Sequence, residues 1–88
     1  MNRPRLMTGA RLSFDSVRDE HVLLIPEGAV KLNPTAADVL GLCDGTRSLE
    51  QICTELSARY KGADVTDDVN GLLDALAQRG LVNDAATS

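Results

Sequence analysis

The sequence predicts one α+β domain, in which a three-stranded antiparallel β-meander precedes a three-helix bundle of winged helix-turn-helix-like form. Before Asn33 the apolar residues fall in short strand-like runs joined by turn residues; after it they recur every three to four positions, and the pattern does not switch back. The 88 residues suffice for a single domain. We expect the domain to span residues 11–83, between a flexible N-terminal arm at 1–10 and a flexible tail at 84–88.

Three short segments have the pattern of strands. Residues 11–15 alternate between apolar and polar, residues 21–25 are almost continuously apolar, and residues 29–32 alternate again. Between the second and third segments, Pro26 presets φ for a tight turn and Gly28 can adopt a positive φ at its exit. In a simple 1-2-3 order, the first and third strands are the edges of the sheet.

The first two helices are indicated by their start and stop signals. Asn33 is a favourable N-cap before Pro34, and the first helix should include Cys43 and close at Asp44-Gly45. The second helix should begin with the capping box of Ser48 and Gln51 and end before Gly62.

The third helix should be capped by Asp64 or Thr66 and should end at Gly80. After it, Leu81 and Val82 are expected to fold back onto the core. Its apolar stripe consists of Val69, Leu72, Leu73 and Leu76.

Composition and charge narrow the class of protein. Charged residues make up 25% and hydrophobic residues 43% of the chain, as in ordinary globular domains, and the net charge is −4. There is no apolar run long enough for a membrane span and no signal-peptide pattern. We therefore expect a cytoplasmic protein in which Cys43 and Cys53 are reduced core residues.

Catalysis by this chain is not expected. His21 is the only histidine, Tyr60 is the only tyrosine and there is no tryptophan. The glycines are too scattered for a phosphate-binding loop, so we predict no cofactor. One histidine and two cysteines are a poor ligand set for zinc, so we predict no metal and no catalytic residues.

A winged-helix nucleic-acid-binding protein is one alternative, with the third helix reading the DNA groove. Residues 64–79 contain four aspartates and one arginine, and phosphate contacts need cations, so the charge disfavours this alternative. A regulatory protein–protein module is the other alternative.

An open sheet edge can accept an extended peptide as an additional strand. If the third strand lies beside the third helix, the two form a groove. Its strand wall offers backbone donors and acceptors, and alternate side chains of a guest strand point towards the helix.

Several segments resemble the pyrroloquinoline quinone biosynthesis protein D family in their order and spacing, over about residues 11–83. The segments are Leu23-Leu24-Ile25-Pro26-Glu27-Gly28-Ala29-Val30-Lys31-Leu32-Asn33; Ala36, Leu40 and Cys43-Asp44-Gly45; Leu49-Glu50-Gln51-Ile52; and Leu72-Leu73-Asp74-Ala75-Leu76 with Gly80-Leu81-Val82.

The resemblance implies a peptide chaperone that is not an enzyme. Such a protein binds the ribosomally made precursor peptide of pyrroloquinoline quinone and presents it to a radical SAM cross-linking enzyme. In related recognition elements of modified-peptide pathways, the peptide adds to the third strand and lies against the third helix. Val69, Leu72 and Leu76 should then face the core. The expected peptide-binding residues are Ala29, Val30, Lys31, Leu32, Asn70, Leu73, Asp74 and Ala77.

The oligomeric state stays open between a monomer and a weak dimer. Two apolar edge strands can pair between copies, and exchange of N-terminal strands is a second route to a dimer.

Overall fold

A computed structural model of the chain describes residues 2–85. Within these residues the chain forms five strands and three helices, and the predicted α+β class is confirmed. In chain order the elements are β1 (Pro4–Leu6), β2 (Arg11–Asp15), β3 (Glu20–Ile25), β4 (Gly28–Leu32), α1 (Pro34–Gly41), α2 (Leu49–Arg59), α3 (Thr66–Gln78) and β5 (Val82–Asp84).

The three predicted strands form one antiparallel sheet in the order β2-β3-β4. Leu12, Leu23 and Val30 lie side by side across the three strands on the inner face of this sheet. Leu23 is completely buried, and the other two are half-buried against the core. Helix α1 contacts all three strands, so the helical layer covers the inner face.

Helix α1 begins as predicted but ends earlier. The Oδ1 of Asn33 accepts the N–H of Ala36 at 2.7 Å and caps the first turn. The predicted extension to Cys43 is wrong, because the helix ends at Gly41. The Cys43 carbonyl instead accepts the N–H of Leu6 at 3.3 Å. Pairing with β1 therefore competes with another helical turn.

The capping box of α2 is confirmed. The Gln51 N–H donates to Ser48 Oγ at 3.0 Å, and the Ser48 N–H donates to Gln51 Oε1 at 2.8 Å. Two free amides at the start of α2 are thereby satisfied. Gly62, with φ of +82°, follows the helix as expected.

The start of α3 differs from the prediction by one residue. Its N-cap is Val65, which is buried and provides no side-chain cap. Asp64 Oδ1 still accepts the N–H of Thr66 at 3.0 Å, within the turn that precedes the helix. At the other end, Gly80 has φ of +74° and the N–H of Leu81 bonds to the Leu76 carbonyl, which confirms the predicted stop.

Part of the N-terminal segment, which was expected to be a flexible arm, forms a strand, β1. Residues of β1 pair antiparallel with β5, so that Arg5 faces Asn83. Pro4 is buried, and Leu6 packs against the core. The reason is that β1 forms backbone hydrogen bonds on two sides. One side pairs with β5, and the other contacts the loop after α1, where the backbones of Arg5 and Asp44 form an isolated β-bridge.

Side chains reinforce this pairing of the two ends of the chain. The carboxylate of Asp84 accepts the N–H of Asn2 at 2.8 Å and the N–H of Arg3 at 3.0 Å. At Gly45, φ is +83°, and a Cβ would approach Ala85 Cβ to 3.2 Å, so the close approach favours glycine. Of the predicted tail, Asp84 thus lies in a strand, and residues 86–88 lie outside the described part of the chain.

One apolar cluster joins the sheet, the helices and β5. Leu81 and Val82 are buried in it, which confirms that the chain folds back after α3. Both cysteines are free thiols; Cys43 is buried and Cys53 is half-buried. In the part of the chain that the structure describes, no helix is long and apolar enough to cross a membrane.

Candidate functional site

The β3–β4 hairpin determines which backbone groups of β4 face outwards. Its loop has two residues, so the flanking Ile25 and Gly28 form a hydrogen-bonded pair. Pairing then alternates along the ladder, and Val30 is bonded to Leu23 while Ala29 is not bonded to β3. The same alternation leaves the N–H and C=O of Ala29 and Lys31 on the outer edge.

This outer edge is open. Strand β4 pairs with β3 only, and no further backbone or side-chain hydrogen bond to residues 28–32 occurs among residues 2–85. Two N–H and two C=O groups, from Ala29 and Lys31, are therefore available to an added strand. Unpaired strand edges are the structural requirement for β-augmentation.

The side chains of β4 point alternately to two environments. Val30 and Leu32 are half-buried and pack against the core that also contains α3. Ala29 and Lys31 lie on the opposite face and are exposed. The Lys31 ammonium lies 3.4 Å from the Glu20 carboxylate, and the lysine side chain remains 72% exposed.

The predicted residues of α3 divide into two groups. Asn70, Asp74 and Ala77 recur at helical spacing on one flank, and each of them retains solvent exposure. Leu73 does not belong with them, because it is only 2% exposed and lies in the core. Leu72, which was expected to face the core, is half-buried and packs at its margin.

This exchange of roles has a simple geometric reason. Adjacent residues on a helix differ in direction by about 100°, and Leu72 and Leu73 each lie about 50° from the mean direction of Val69 and Leu76, on opposite sides. Packing of the helix in the fold buries Leu73 and leaves Leu72 half-buried. The predicted groove position of Leu73 is therefore wrong, although it adjoins the flank of Asn70 and Ala77.

The charge of α3 is strongly negative. Asp67 and Asp68 lie in its first turn, where they stabilise the helix N-terminus. Asp74 lies further along on the exposed flank. Phosphate backbones are repelled by such a helix, whereas peptide side chains that are apolar or cationic are compatible with it.

One cavity lies away from the β4 edge. Its volume is about 1040 Å³, and it is formed by the start of α2, the N-terminal segment and the turn before α3, including Arg3, Leu49 and Cys53. None of the eight predicted peptide-binding residues lines it. Strand addition needs an accessible backbone edge and not a concave pocket, so the β4 edge stays the stronger candidate.

The described side chains offer little reactive chemistry. Burial, and secondarily the charge of Asp44, raises the pKa of the Cys43 thiol to about 12, so it is an inert core residue. The Tyr60 hydroxyl donates to the Asp38 carboxylate, which raises the tyrosine pKa and links α2 to α1. No group of three or more His, Cys, Asp or Glu side chains suited to a metal ion occurs in residues 2–85.

The sequence pattern predicts β4 as an edge strand but does not show which of its four named residues present the free backbone groups. The signal was available in the length of the loop, because two residues between Ile25 and Gly28 determine the pairing alternation. The pairing of β1 with β5 gave no such signal. Each strand has three residues, too few for a periodic pattern.

The fold and this edge define a class: small α+β domains in which a helical layer backs a short sheet with an open third strand. A family model described as coenzyme PQQ synthesis protein D (PqqD) matches residues 20–82, and the chain belongs to this family.

Curated relatives are similar over nearly the whole chain. A protein of Rhodopseudomonas palustris (strain BisB5) named PqqA binding protein is 36% identical and covers 99% of this chain and 87% of its own. A protein of the same name from Xanthomonas axonopodis pv. citri (strain 306) is 45% identical, with 92% of this chain and 90% of its own covered.

A solved structure agrees with the fold. It is the solution NMR structure of the PqqD truncation of Methylobacterium extorquens PqqCD, described as a functional and stand-alone recognition element for ribosomally synthesised and post-translationally modified peptides. It matches with a TM-score of 0.79 and 39% identity, over 91% of this chain and 87% of that one.

Proposed function

We propose that this chain is a non-catalytic peptide chaperone that binds the precursor peptide of pyrroloquinoline quinone by strand addition to β4. Family membership supports this proposal, as do the relatives named for binding PqqA and the solved recognition element. The single structural observation that carries it is the open edge formed by the backbone groups of Ala29 and Lys31.

Backbone pairing alone is too weak for a useful complex. Four hydrogen bonds at a net value of roughly 1 kcal/mol each give about 4 kcal/mol, which corresponds to a dissociation constant of about 1 mM. Side chains of the guest must supply the rest. Guest residues on the inner side of the added strand meet Val30 and Leu32, and the flank of Asn70, Asp74 and Ala77 on α3 is the proposed second wall.

Ordering of the peptide reduces the net affinity. A disordered segment loses several kcal/mol of interaction energy, in the range of about 2–5 kcal/mol, when it becomes a strand. Three apolar anchors at about 1–3 kcal/mol each compensate for this loss and bring the affinity to about the micromolar range. The peptide is thus held firmly enough for transfer and can still be released.

The proposed partner after binding is a radical SAM enzyme that modifies the peptide, which the family resemblance implies. The chain contributes no reactive group to that step in this proposal, and its action is placed in the cytoplasm, where ribosomal peptides are made. The binding unit is the domain predicted at residues 11–83 together with β1, because β1 pairs with β5.

Calorimetric titration with the precursor peptide tests this function. We expect one binding site of about micromolar affinity, and no binding of a peptide with the same composition in scrambled order. Amide NMR during the same titration should show shifts concentrated in residues 29–33 and 66–79. Absence of binding, or shifts confined to the cavity lined by Leu49 and Cys53, would contradict the proposal.

A further inference from the structure

A small pocket lies between the β2–β3 hairpin and helix α1. Its volume is about 280 Å³, and it is lined by Leu12, Ser13, Phe14, His21, Ala37 and Asp38. Phe14 and His21 are cross-strand neighbours, and their row continues to Leu32 on β4. None of the eight predicted peptide-binding residues lines this pocket, so it is separate from the proposed peptide site.

An exposed aromatic ring contributes to the lining. Phe14 is the only phenylalanine of the chain, and it is 49% exposed although its ring contacts the His21 ring edge-on, with 4.9 Å between the centroids. Among the large hydrophobic side chains that the structure describes, only Phe14 and Val17 are exposed. Single exposed apolar residues are common on protein surfaces, so Phe14 gains significance only through its neighbours in the pocket.

The decisive neighbour is a half-buried carboxylate that has no cationic partner. Asp38 accepts a hydrogen bond from the Tyr60 hydroxyl at Oδ2, which orients the carboxylate. Asp15, Glu20 and Glu55 are also half-buried, and each of them has a cationic group within 4.0 Å. Asp38 takes part in no ion pair among residues 2–85. Its negative charge is therefore not compensated within the described chain.

The rest of the lining supplies no positive charge to Asp38. No lysine or arginine lines the pocket, and its only other ionisable side chain is His21, which contacts the Phe14 ring. A metal ion is not the fitting cation, because no group of three metal-ligating side chains occurs in the described residues. The combination of apolar walls, an aromatic ring and one carboxylate fits an organic cation.

A guanidinium group meets these conditions better than an ammonium group. It is planar and weakly hydrated, and it can stack on an aromatic ring while donating hydrogen bonds to a carboxylate. An ammonium is a compact and strongly hydrated charge, so it gains less from the ring. We propose that the pocket of Phe14 and Asp38 is a docking subsite for an arginine side chain of a partner protein.

The position of the pocket favours a second protein over the precursor peptide as the source of this arginine. Strand β2 lies at the opposite edge of the sheet from β4, so a guest strand beside β4 is about 14 Å from β2. A protein that approaches the β2–β3 hairpin from solvent reaches the pocket directly and leaves the β4 edge free. The subsite does not depend on peptide binding, and its failure would leave the proposed function intact.

NMR of the full chain during titration with N-acetyl-arginine amide tests the subsite. We expect saturable shifts of the Phe14, His21, Ala37 and Asp38 signals, with a dissociation constant of about 10 mM. N-acetyl-citrulline amide has nearly the same shape without the charge and should give no saturable shift. N-acetyl-lysine amide should bind about threefold more weakly or worse. Equal binding of the citrulline amide, or shifts at the aspartates of α3 instead, would overturn the proposal.

Removal of one charge provides the matched variants. Asp38→Asn keeps a side-chain oxygen for the Tyr60 hydroxyl but loses the negative charge, so affinity for N-acetyl-arginine amide should fall at least about fivefold. Asp67→Asn removes an exposed carboxylate from the first turn of α3 and should leave this affinity unchanged. Native affinity of the Asp38→Asn chain, or an equal loss in both variants, contradicts the subsite.

Phe14→Leu is a further variant, which keeps an apolar side chain and leaves the Asp38–Tyr60 hydrogen bond in place. Loss of the ring should weaken binding of N-acetyl-arginine amide about threefold. Unchanged binding would remove Phe14 from the subsite and refute the proposal. The precursor peptide, titrated separately, should not shift the Phe14 and Asp38 signals; if it does, the occupant is the peptide and the assignment to a partner protein is wrong.

Discussion

Val30 lies directly opposite Leu23, and this pair exchanges its backbone hydrogen bonds within the β3–β4 ladder. The amide of Val30 consequently faces the interior of the sheet, and the amide of Lys31, one residue later, faces outwards. Backbone substitutions at these two adjacent positions should therefore have different effects.

Lys31→Pro removes one outward N–H and leaves the β3–β4 ladder intact. It should weaken binding of the precursor peptide by about tenfold, through the lost hydrogen bond and the bulk of the ring at the edge. Calorimetry measures the change. Lys31→Ala is the matched control, since it removes the ion pair with Glu20 but keeps the N–H; it should change affinity little.

Val30→Pro should instead lower the free energy of unfolding, because it removes an inward N–H that pairs with Leu23. Equal affinity of the Lys31→Pro and Lys31→Ala chains would argue against strand addition at this edge.

Leu73→Ala and Asp74→Ala separate a core position from a proposed site position. Leu73 is buried, so its truncation should reduce the free energy of unfolding by about 3 kcal/mol in urea titration. Asp74 is exposed, and its replacement should change stability by less than about 0.5 kcal/mol while weakening peptide binding. If Asp74→Ala binds the peptide like the native chain, this flank of α3 is not the second wall.

The pairing of the N-terminal segment predicts a stability effect of Leu6. Leu6→Ala should destabilise the domain by about 1–2 kcal/mol, because the side chain packs against the core from β1. Arg5→Ala is the control on the exposed side of the same strand; it removes one exposed hydrogen bond, from Arg5 Nε to Asn83 Oδ1, and should cost about 0.5 kcal/mol. If neither substitution changes the free energy of unfolding, β1 does not contribute to stability, and the N-terminal segment behaves as the flexible arm that the sequence predicts.

Cys43 should resist alkylation. Its raised pKa means that the folded chain keeps the thiol proton, so stability from this group is complete below pH 9 and is lost as the pH rises towards 12. Iodoacetamide at a pH of about 8 should modify the half-buried Cys53 first, as mass spectrometry of tryptic fragments would show. If Cys43 were modified before Cys53 in the folded chain, the loop after α1 would have to open and expose its thiol.

The elements with local signals were predictable. Asn33, the Ser48–Gln51 capping box and Gly80 each act on groups within a few residues, so sequence spacing is sufficient to recognise them. The pairing of Arg5 with Asn83 joins residues at opposite ends of the chain and has no local signature. Pairing between such distant segments depends on how Leu6 and Val82 pack on the same core, which no local sequence pattern shows.

The candidate site was predictable to the level of its elements. Strand β4 and one flank of α3 follow from periodicity, but the choice between Leu72 and Leu73 depends on a rotation of the helix that the other layers impose. When two leucines are adjacent in an apolar stripe, the sequence pattern does not show which of them faces the core.

Hydrogen exchange of the β4 amides tests strand addition most directly. With saturating precursor peptide, the amides of Ala29 and Lys31 should become protected at least tenfold. The amides of Leu12 and Phe14 on β2, which the pairing with β3 directs to the other edge of the sheet, should not change. Unchanged exchange at Ala29 and Lys31 in a chain that binds the peptide would contradict the account, because the guest would then lie elsewhere.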